Sequence, residues 1–293
     1  MIYSNPCLIA EVGCNHMGNM DVAQELITTA SVFCKVDAVK FQKRCNRELL
    51  STEQYYKPHP NPHNAYGETY GEHREFLEFT VEQHKQLKVW CEELGLVYSS
   101  SVWDITSAKE IVSLNPGMIK IPSACNNNYK MLEWLCDNYE GEIHISIGMT
   151  SREEENKLVD YFTMKQRNRD LVIYSCTSGY PIEFDDVCLL EIKRLVEQYG
   201  EVVKTIGFSG HHKGIAADIA AYILGASVFE RHFTLDRTWK GTDHAASLEP
   251  DGLRKLKRDL QNVQKSLNYK HEEILPVEQI QRAKLKYRKR ELS

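Results

Sequence analysis

The chain has no run approaching the roughly 20 consecutive apolar residues that a membrane-spanning helix needs. Its opening residues, Met1-Ile2-Tyr3-Ser4-Asn5-Pro6, hold no basic residue ahead of the first apolar stretch, so neither a membrane segment nor a secretory leader is expected, and a cytoplasmic protein is. Positive charge is not in excess: 36 Lys and Arg against 41 Asp and Glu leave a formal net charge of -5. With both signs interspersed, no global basic field is available to hold nucleic acid. There is no CxxC pair among the 9 cysteines, which lie scattered and often inside apolar runs. They are expected to be reduced, mostly buried thiols and not a disulfide or zinc framework. The basic stretch from Arg282 to Arg290 is the exception to the charge balance. It reads as a solvated tail or as a phosphate or partner contact, with no catalytic role.

What the chain does have is a repeated unit. Short apolar runs at Cys7–Val12, Asp37–Phe41, Val97–Ser101, Met118–Ile121, Ile143–Ile147, Leu171–Ser175, Thr205–Ser209 and Val228–His232 alternate with amphipathic stretches. Those stretches, at Val22–Cys34, Val81–Leu94, Thr106–Leu114, Tyr129–Asn138, Ser151–Phe162, Val187–Tyr199, Gly214–Gly225 and Asp251–Leu267, carry helical periodicity. Eight strands each followed by a helix predict an α/β fold closed as a (β/α)8 TIM barrel, with a doubly wound open sheet as the competitor. One barrel accommodates residues 1–270, and 271–293 form the basic tail. Residues 44–74 break the rhythm: the segment is too long for an ordinary connection and rich in Tyr, His, Pro and Gly, as a lid or interface loop would be.

A barrel keeps its active site at the C-terminal ends of its strands, so polar residues that interrupt the strands there carry a functional expectation. They occur on every strand: Glu11, then Lys40 and Gln42, Ser101, Lys120 and Ser123, Ser146, Ser178 and Tyr180, Ser209 and His211, and Glu230, Arg231 and His232. Taken singly, Lys120 could pair with a carboxylate and the serines could cap helices. Taken together, two interior lysines among hydroxyls make a pocket for a small phosphate or carboxylate. His211 and His232 end adjacent strands, where neutral imidazoles either hold a divalent metal in an open, catalytic arrangement or are hydrogen-bonded core histidines. His212 is expected to face away, as a helix cap or outer-loop residue.

These residues fall in an ordered set of phrases: Ile9-Ala10-Glu11-Val12-Gly13-Cys14-Asn15-His16-Met17-Gly18, Asp37-Ala38-Val39-Lys40-Phe41-Gln42, Lys120-Ile121-Pro122-Ser123, Gly148-Met149, Gly207-Phe208-Ser209-Gly210-His211 and Glu230-Arg231-His232-Phe233-Thr234. Over about residues 6 to 270 the set resembles the sialic acid synthase family. The resemblance implies a synthase that condenses phosphoenolpyruvate with N-acetylmannosamine or a related amino-sugar aldehyde, or its 6-phosphate, to a nine-carbon 2-keto acid and phosphate. It implies a divalent metal, manganese first with magnesium and cobalt as alternatives, held by His211 and His232. It puts Lys40 and Ser101 on the phosphoenolpyruvate carboxylate, and Lys120, Ser123, Ser146, Ser178 and Ser209 on its phosphate. Glu11, Gln42, Tyr180 and Asp243, the last in Lys240-Gly241-Thr242-Asp243-His244, then line the sugar site. A cytoplasmic homodimer is implied as well.

Two positions and one domain depart from the family pattern. Cys125 stands where many relatives have an acidic residue, and Ser209-Gly210-His211-His212 replaces a common Ser-Asp-His. The small antifreeze-like domain that many members append is not expected here, which leaves the sugar site to be completed by the 44–74 loop, the tail or a partner. The departures keep two alternatives in play: a synthase of the same type with another sugar or sugar-phosphate acceptor, and a barrel that binds without turnover.

Overall fold

The structure, a computed structural model, describes residues 4–287; Met1–Tyr3 and the Arg288–Arg290 part of the basic stretch lie outside the described residues. The strands are β1 (Cys7–Gly13), β2 (Ala38–Lys43), β3 (Val97–Val102), β4 (Met118–Ile121), β5 (Glu142–Ser146), β6 (Leu171–Cys176), β7 (Thr205–Gly210) and β8 (Val228–His232). They pair in parallel and in sequence order, with β8 closing on β1 through Cys7 opposite Val228 and Glu11 opposite His232. The open-sheet alternative is therefore excluded.

The side-chain period of two sorts every strand into an outer and an inner set. Outward residues such as Leu8, Ala10, Val39, Phe41, Ile119, Ile143, Ile173, Phe208 and Phe229 pack under the helices in one large core. Burying each large aliphatic or aromatic side chain is worth about 1.5–3 kcal/mol, and this shell carries the fold. Inward residues form a second, small apolar cluster of Ile9, Ala38, Met118, Val172, Tyr174 and Val228 at the base of the barrel. Above that layer the inward positions turn polar at Glu11, Lys40, Ser101, Lys120, Ser209 and Glu230, all buried. The outer shell stabilises the barrel sufficiently for its upper interior to be given to chemistry.

Helices α1 (Met20–Thr28), α5 (Val81–Glu93), α6 (Ile105–Val112), α7 (Tyr129–Asn138), α8 (Arg152–Met164), α9 (Leu190–Tyr199), α10 (Ala216–Ile223) and α11 (Pro250–Ser266) follow the strands in turn. The expected helix to Cys34 relaxes into a π-turn over Thr29–Phe33, and the helix expected from Val187 starts at Leu190, after a 3-10 turn at Phe184–Asp186. Residues 44–74 are not a structureless loop. They hold α2 (Asn46–Leu49) and α3 (Thr52–Tyr56) and lead into α4 (Tyr70–Phe76), the last two begun by capping boxes at Ser51 and Thr69. Within 271–293, Pro276–Leu285 forms α12, which buries no residue.

The cysteines are all free, but only Cys34, Cys91 and Cys125 are buried. The expectation of mostly buried thiols is corrected because several occupy strand ends and inner positions; Cys14 and Cys176 line the central cavity. Among the described residues no helix is long and apolar enough to cross a membrane.

Candidate active site

A cavity of about 210 Å³ opens at the C-terminal end of the barrel. Every residue expected at the site lines it except Ser178. Its floor is set by Tyr174, whose ring occupies the space left by Gly207: a Cβ there would come within 2.7 Å of that ring. The Tyr174 hydroxyl lies 2.7 Å from His144 Nδ1, and Lys120 Nζ lies 3.7 Å from the centre of the Tyr174 ring.

On this floor the two lysines are not free. Lys120 Nζ donates to Glu230 Oε2 at 2.9 Å, while Lys40 Nζ meets Glu11 at 2.5 Å, Ser101 Oγ at 2.6 Å and Glu230 at 3.6 Å. Two isolated ammoniums in so dry a place would be prohibitively costly, and the two lysines expected from sequence to hold an anion sit in a quartet with the carboxyl groups of Glu11 and Glu230. Glu230 is the residue that sequence reasoning left without a role. Its signal was its inward position on β8, two residues before His232.

Burial opposes the charge on all four groups, and their neighbours decide the outcome. Glu11 is pushed up to about 8 by burial and by Glu230, with Lys40 pulling the other way. Glu230 is held well below the usual carboxylate range by Lys120 and Lys40 in spite of burial. Lys40 is desolvated but raised by Glu11 and Glu230, whereas Lys120 is drawn down by burial against the attraction of Glu230. A carboxyl whose folded pKa lies above its unfolded value near 4.5 adds stability below the unfolded value and loses it as pH rises through the folded one. Glu11→Gln is accordingly expected to flatten the fall in Tm between about pH 4.5 and 8. Parallel wild-type and variant slopes in a melting series would contradict the placement of a proton on Glu11.

The two histidines meet at the rim. Their ring centres are 5.6 Å apart, and Tyr180 lies 4.2 Å from the His211 ring and edge-on to His232 at 5.7 Å. His211 Nδ1 donates to the Thr177 carbonyl at 2.9 Å, so that nitrogen carries the proton and Nε2 keeps its lone pair. His232 Nδ1 is buried with no hydrogen-bond partner among the described residues, 3.9 Å from Asp243. Burial, with each ring's cationic neighbours adding to it, lowers both imidazoles, His211 to about 3. Two neutral imidazoles, one oriented by a carbonyl and one with an orphaned nitrogen beside a carboxylate, fit a divalent metal. Cys45, Glu48 and Asp104 also cluster, but Asp104 is used as the cap of α6 and accepts the Cys45 amide.

The hydroxyls occupy the far wall. Ser123 Oγ accepts the Gly148 amide at 3.0 Å and Ser209 Oγ donates to Glu230 at 3.2 Å, while Ser146 lines the cavity. Ser178 does not line it. Its Oγ lies over Gly148, where any Cβ would collide with it and approach Ser123 Oγ to 2.8 Å. Gly13, at φ +55°, is needed for a similar reason: a Cβ would come within 2.8 Å of Gln42 Nε2 and 3.1 Å of Glu11 Oε1.

Other motif residues build the frame. Asn15 Nδ2 donates to the Phe233 carbonyl at 2.8 Å and to Ser247 Oγ at 2.9 Å, closing the loop after β1 onto that after β8. His212 faces away as expected but is fully buried, not an outer-loop residue. It packs with Asp218 and Arg231, and Arg231 Nη2 donates to the His212 carbonyl at 2.7 Å, which fixes the backbone that carries His211. Cys125 is buried outside the lining, with its thiol pushed up to about 11 by burial, so it offers no base. Residues without a sequence-based expectation, Cys14, Arg44, His73, Leu77, Trp103 and Thr242, complete the wall.

Known proteins match this arrangement over most of the chain. The NeuB family model matches residues 26–272. The N-acetylneuraminate-9-phosphate synthases of Mus musculus and Homo sapiens are each 37% identical over 275 residues, which covers 94% of this chain and 75% of theirs. The N,N'-diacetyllegionaminic acid synthase of Campylobacter jejuni is 30% identical over 261 residues, 89% of this chain and 77% of that protein. Among solved structures, the N-acetylneuraminic acid (sialic acid) synthetase of Leptospira borgpetersenii in complex with citrate superposes with a TM-score of 0.80 at 26% identity, over 97% of this chain and 94% of that one. An eight-stranded barrel with this buried quartet and histidine pair, matched at that depth and breadth, belongs to the NeuB family.

Proposed function

We propose that the chain is a nonulosonic acid synthase, which joins phosphoenolpyruvate to an amino-sugar aldehyde of the N-acetylmannosamine type and releases phosphate. The observation that carries this is the pairing of a cationic floor with a separate histidine–carboxylate rim in one cavity, in a family whose named members make nine-carbon acids. A small trianion needs fixed positive charge and directional donors. Lys40 and Ser101 are assigned its carboxylate; Lys120, Ser123, Ser146, Ser209 and, from behind Gly148, Ser178 are assigned its phosphate. The lysines give up part of their contact with Glu11 and Glu230 when the substrate arrives, so empty and filled sites both keep their charges compensated.

The acceptor lies above, against Glu11, Gln42, Tyr180 and Asp243. His211 and His232, with Asp243 close by, are the residues to hold manganese, or magnesium or cobalt, which would supply Lewis-acid polarisation of the acceptor carbonyl. Holding the enol carbon against the aldehyde contributes orientation, and the lysines stabilise the charge that develops. C3 of phosphoenolpyruvate bonds to the aldehyde carbon, whose oxygen takes a proton; Glu11, protonated up to about pH 8, is placed to provide it. Water adds to C2, the C2–O bond to phosphate breaks, and the 2-keto acid remains.

Phosphate release should require both phosphoenolpyruvate and an aldose, with N-acetylmannosamine or its 6-phosphate far ahead of mannose, arabinose 5-phosphate and erythrose 4-phosphate. Release independent of any aldose, or fastest with the pentose or tetrose phosphate, would overturn the assignment.

A further inference from the structure

Below the substrate cavity, the inner faces of β5 and β6 carry a polar chain that the condensation does not use. By the strand period Glu142 and His144 share the inner face of β5, and His144 lies opposite Lys120 of β4 in register. Tyr174 of β6 is fully buried with Ile9, Ala38, Met118, Val172 and Val228, and it does not line the cavity. Its hydroxyl is 2.7 Å from His144 Nδ1, and His144 Nε2 is 3.2 Å from Glu142 Oε2. Glu142 Oε1 accepts in turn from the half-exposed Lys204 Nζ at 2.7 Å.

The protons in this chain can be assigned. The hydrogen bond from His144, and that from Lys204 against burial, hold the Glu142 carboxyl down to about 2, so at neutral pH it only accepts. His144 is kept neutral by burial in spite of Glu142. Its Nε2 therefore carries the proton given to Glu142, its Nδ1 keeps a lone pair, and the Tyr174 hydroxyl donates to that lone pair. A phenol that donates along such a chain is left with a more electron-rich ring, and Lys120 Nζ meets the face of that ring 3.7 Å from its centre.

The ring and Glu230 hold the ammonium in different ways. Glu230 takes an N–H at 2.9 Å and so competes with any anion that binds here. The ring attracts the whole cation but offers no oxygen, so it counters the pull of Glu230 and leaves N–H donors for a substrate. Lys120 is buried and burial opposes its charge, a cost that an electron-rich face offsets whichever way the lysine turns. We infer that Tyr174, polarised by His144 and Glu142, is a positioning residue that holds the Lys120 ammonium under the cavity, ready to turn from Glu230 to the phosphate of phosphoenolpyruvate. The inference rests on the phosphate contact assigned to Lys120 above. Without the ring the ammonium would settle fully on Glu230, and the substrate would have to break that buried pair. A relay that starts at the closed end of the barrel thereby sets affinity at the open end.

The test replaces Tyr174 by phenylalanine, Tyr174→Phe, and by its mono-, di- and trifluorinated analogues, each with Lys120 present and in Lys120→Met. Fluorine drains the ring face while nearly keeping its shape, so only an attraction of a cation to the ring follows the series. With Lys120 present, the Kd of phosphoenolpyruvate measured by calorimetry should rise stepwise, by about tenfold from the unsubstituted to the trifluorinated ring. KM for phosphoenolpyruvate should follow it and KM for the acceptor should not. Tm should fall along the series with Lys120 present and lose that trend in Lys120→Met. A flat series in phosphoenolpyruvate affinity, or the same Tm trend in both backgrounds, would overturn the role of Tyr174. Should the variants at 174 not fold, Glu142→Gln at the half-exposed base decides: it weakens the relay and should raise KM for phosphoenolpyruvate about twofold to threefold, and an unchanged KM overturns the inference. Loss of binding in Lys120→Met beside a flat fluorine series removes Tyr174 alone. Unchanged binding in Lys120→Met removes the phosphate contact itself, and the positioning role with it.

Discussion

Lys120→Met is expected to lower kcat/KM for phosphoenolpyruvate by about a thousandfold or more, close to 4 kcal/mol of transition-state stabilisation. Methionine nearly keeps the length of the chain over the Tyr174 ring and removes only the charge. Glu230 would then share Lys40 with Glu11, and the floor would lose one of its two positive charges just where a trianion must sit. The same substitution should lower Tm, because breaking a buried pair leaves a carboxylate short of its partner, at a cost of about 3–5 kcal/mol when nothing else compensates. Lys40 and Ser209 remain beside Glu230, which places the expected loss at or below the lower end. Adding Glu230→Gln separates the two effects: the double variant should regain most of its Tm and none of its activity. Recovery of activity together with Tm would mean that Lys120 serves the fold alone.

His211→Ala and His232→Ala should each abolish bound divalent metal, measured by elemental analysis of the dialysed protein, and lower kcat by about a thousandfold or more. The expectation rests on the paired lone pairs, with His211 fixed by Thr177 and His232 left with an orphaned nitrogen beside Asp243. Because the two act as a unit, the double variant should be scarcely worse than either single one. Chelation of the wild type should mimic the substitutions, and added manganese should restore activity to the wild type but not to the variants. Variants that keep stoichiometric metal would move the metal away from this pair.

The barrel was legible from the chain because a strand period of two and a helical period near 3.6 alternate eight times, and inward polar positions stood out against apolar neighbours. The residues that line the cavity were legible for the same reason, since Glu11, Lys40, Ser101, Lys120, Ser209 and His232 all fall on the inner face. What stayed hidden depends on distances between strands remote in sequence. Nothing local says that Glu230 reaches Lys120 across 110 residues, or that the lysines are already compensated. Ser178 followed its phrase and not its geometry, and it settles behind Gly148. The helices inside 44–74 escaped because each is only one or two turns long, too short for periodicity to register, although the caps at Ser51 and Thr69 were readable. His212 faced away as the strand period requires, but its burial depends on Asp218 and Arg231, which only the folded chain brings to it.

The carbon–carbon bond made in this cavity can be observed directly. Phosphoenolpyruvate labelled with carbon-13 at C3 and an acceptor labelled at its aldehyde carbon put the two reacting atoms in view of one NMR spectrum. Phosphate release is expected together with a one-bond carbon–carbon coupling in the product, both lost in Lys120→Met and His211→Ala. Phosphate released with labelled pyruvate and no coupling would show a phosphatase in place of a synthase.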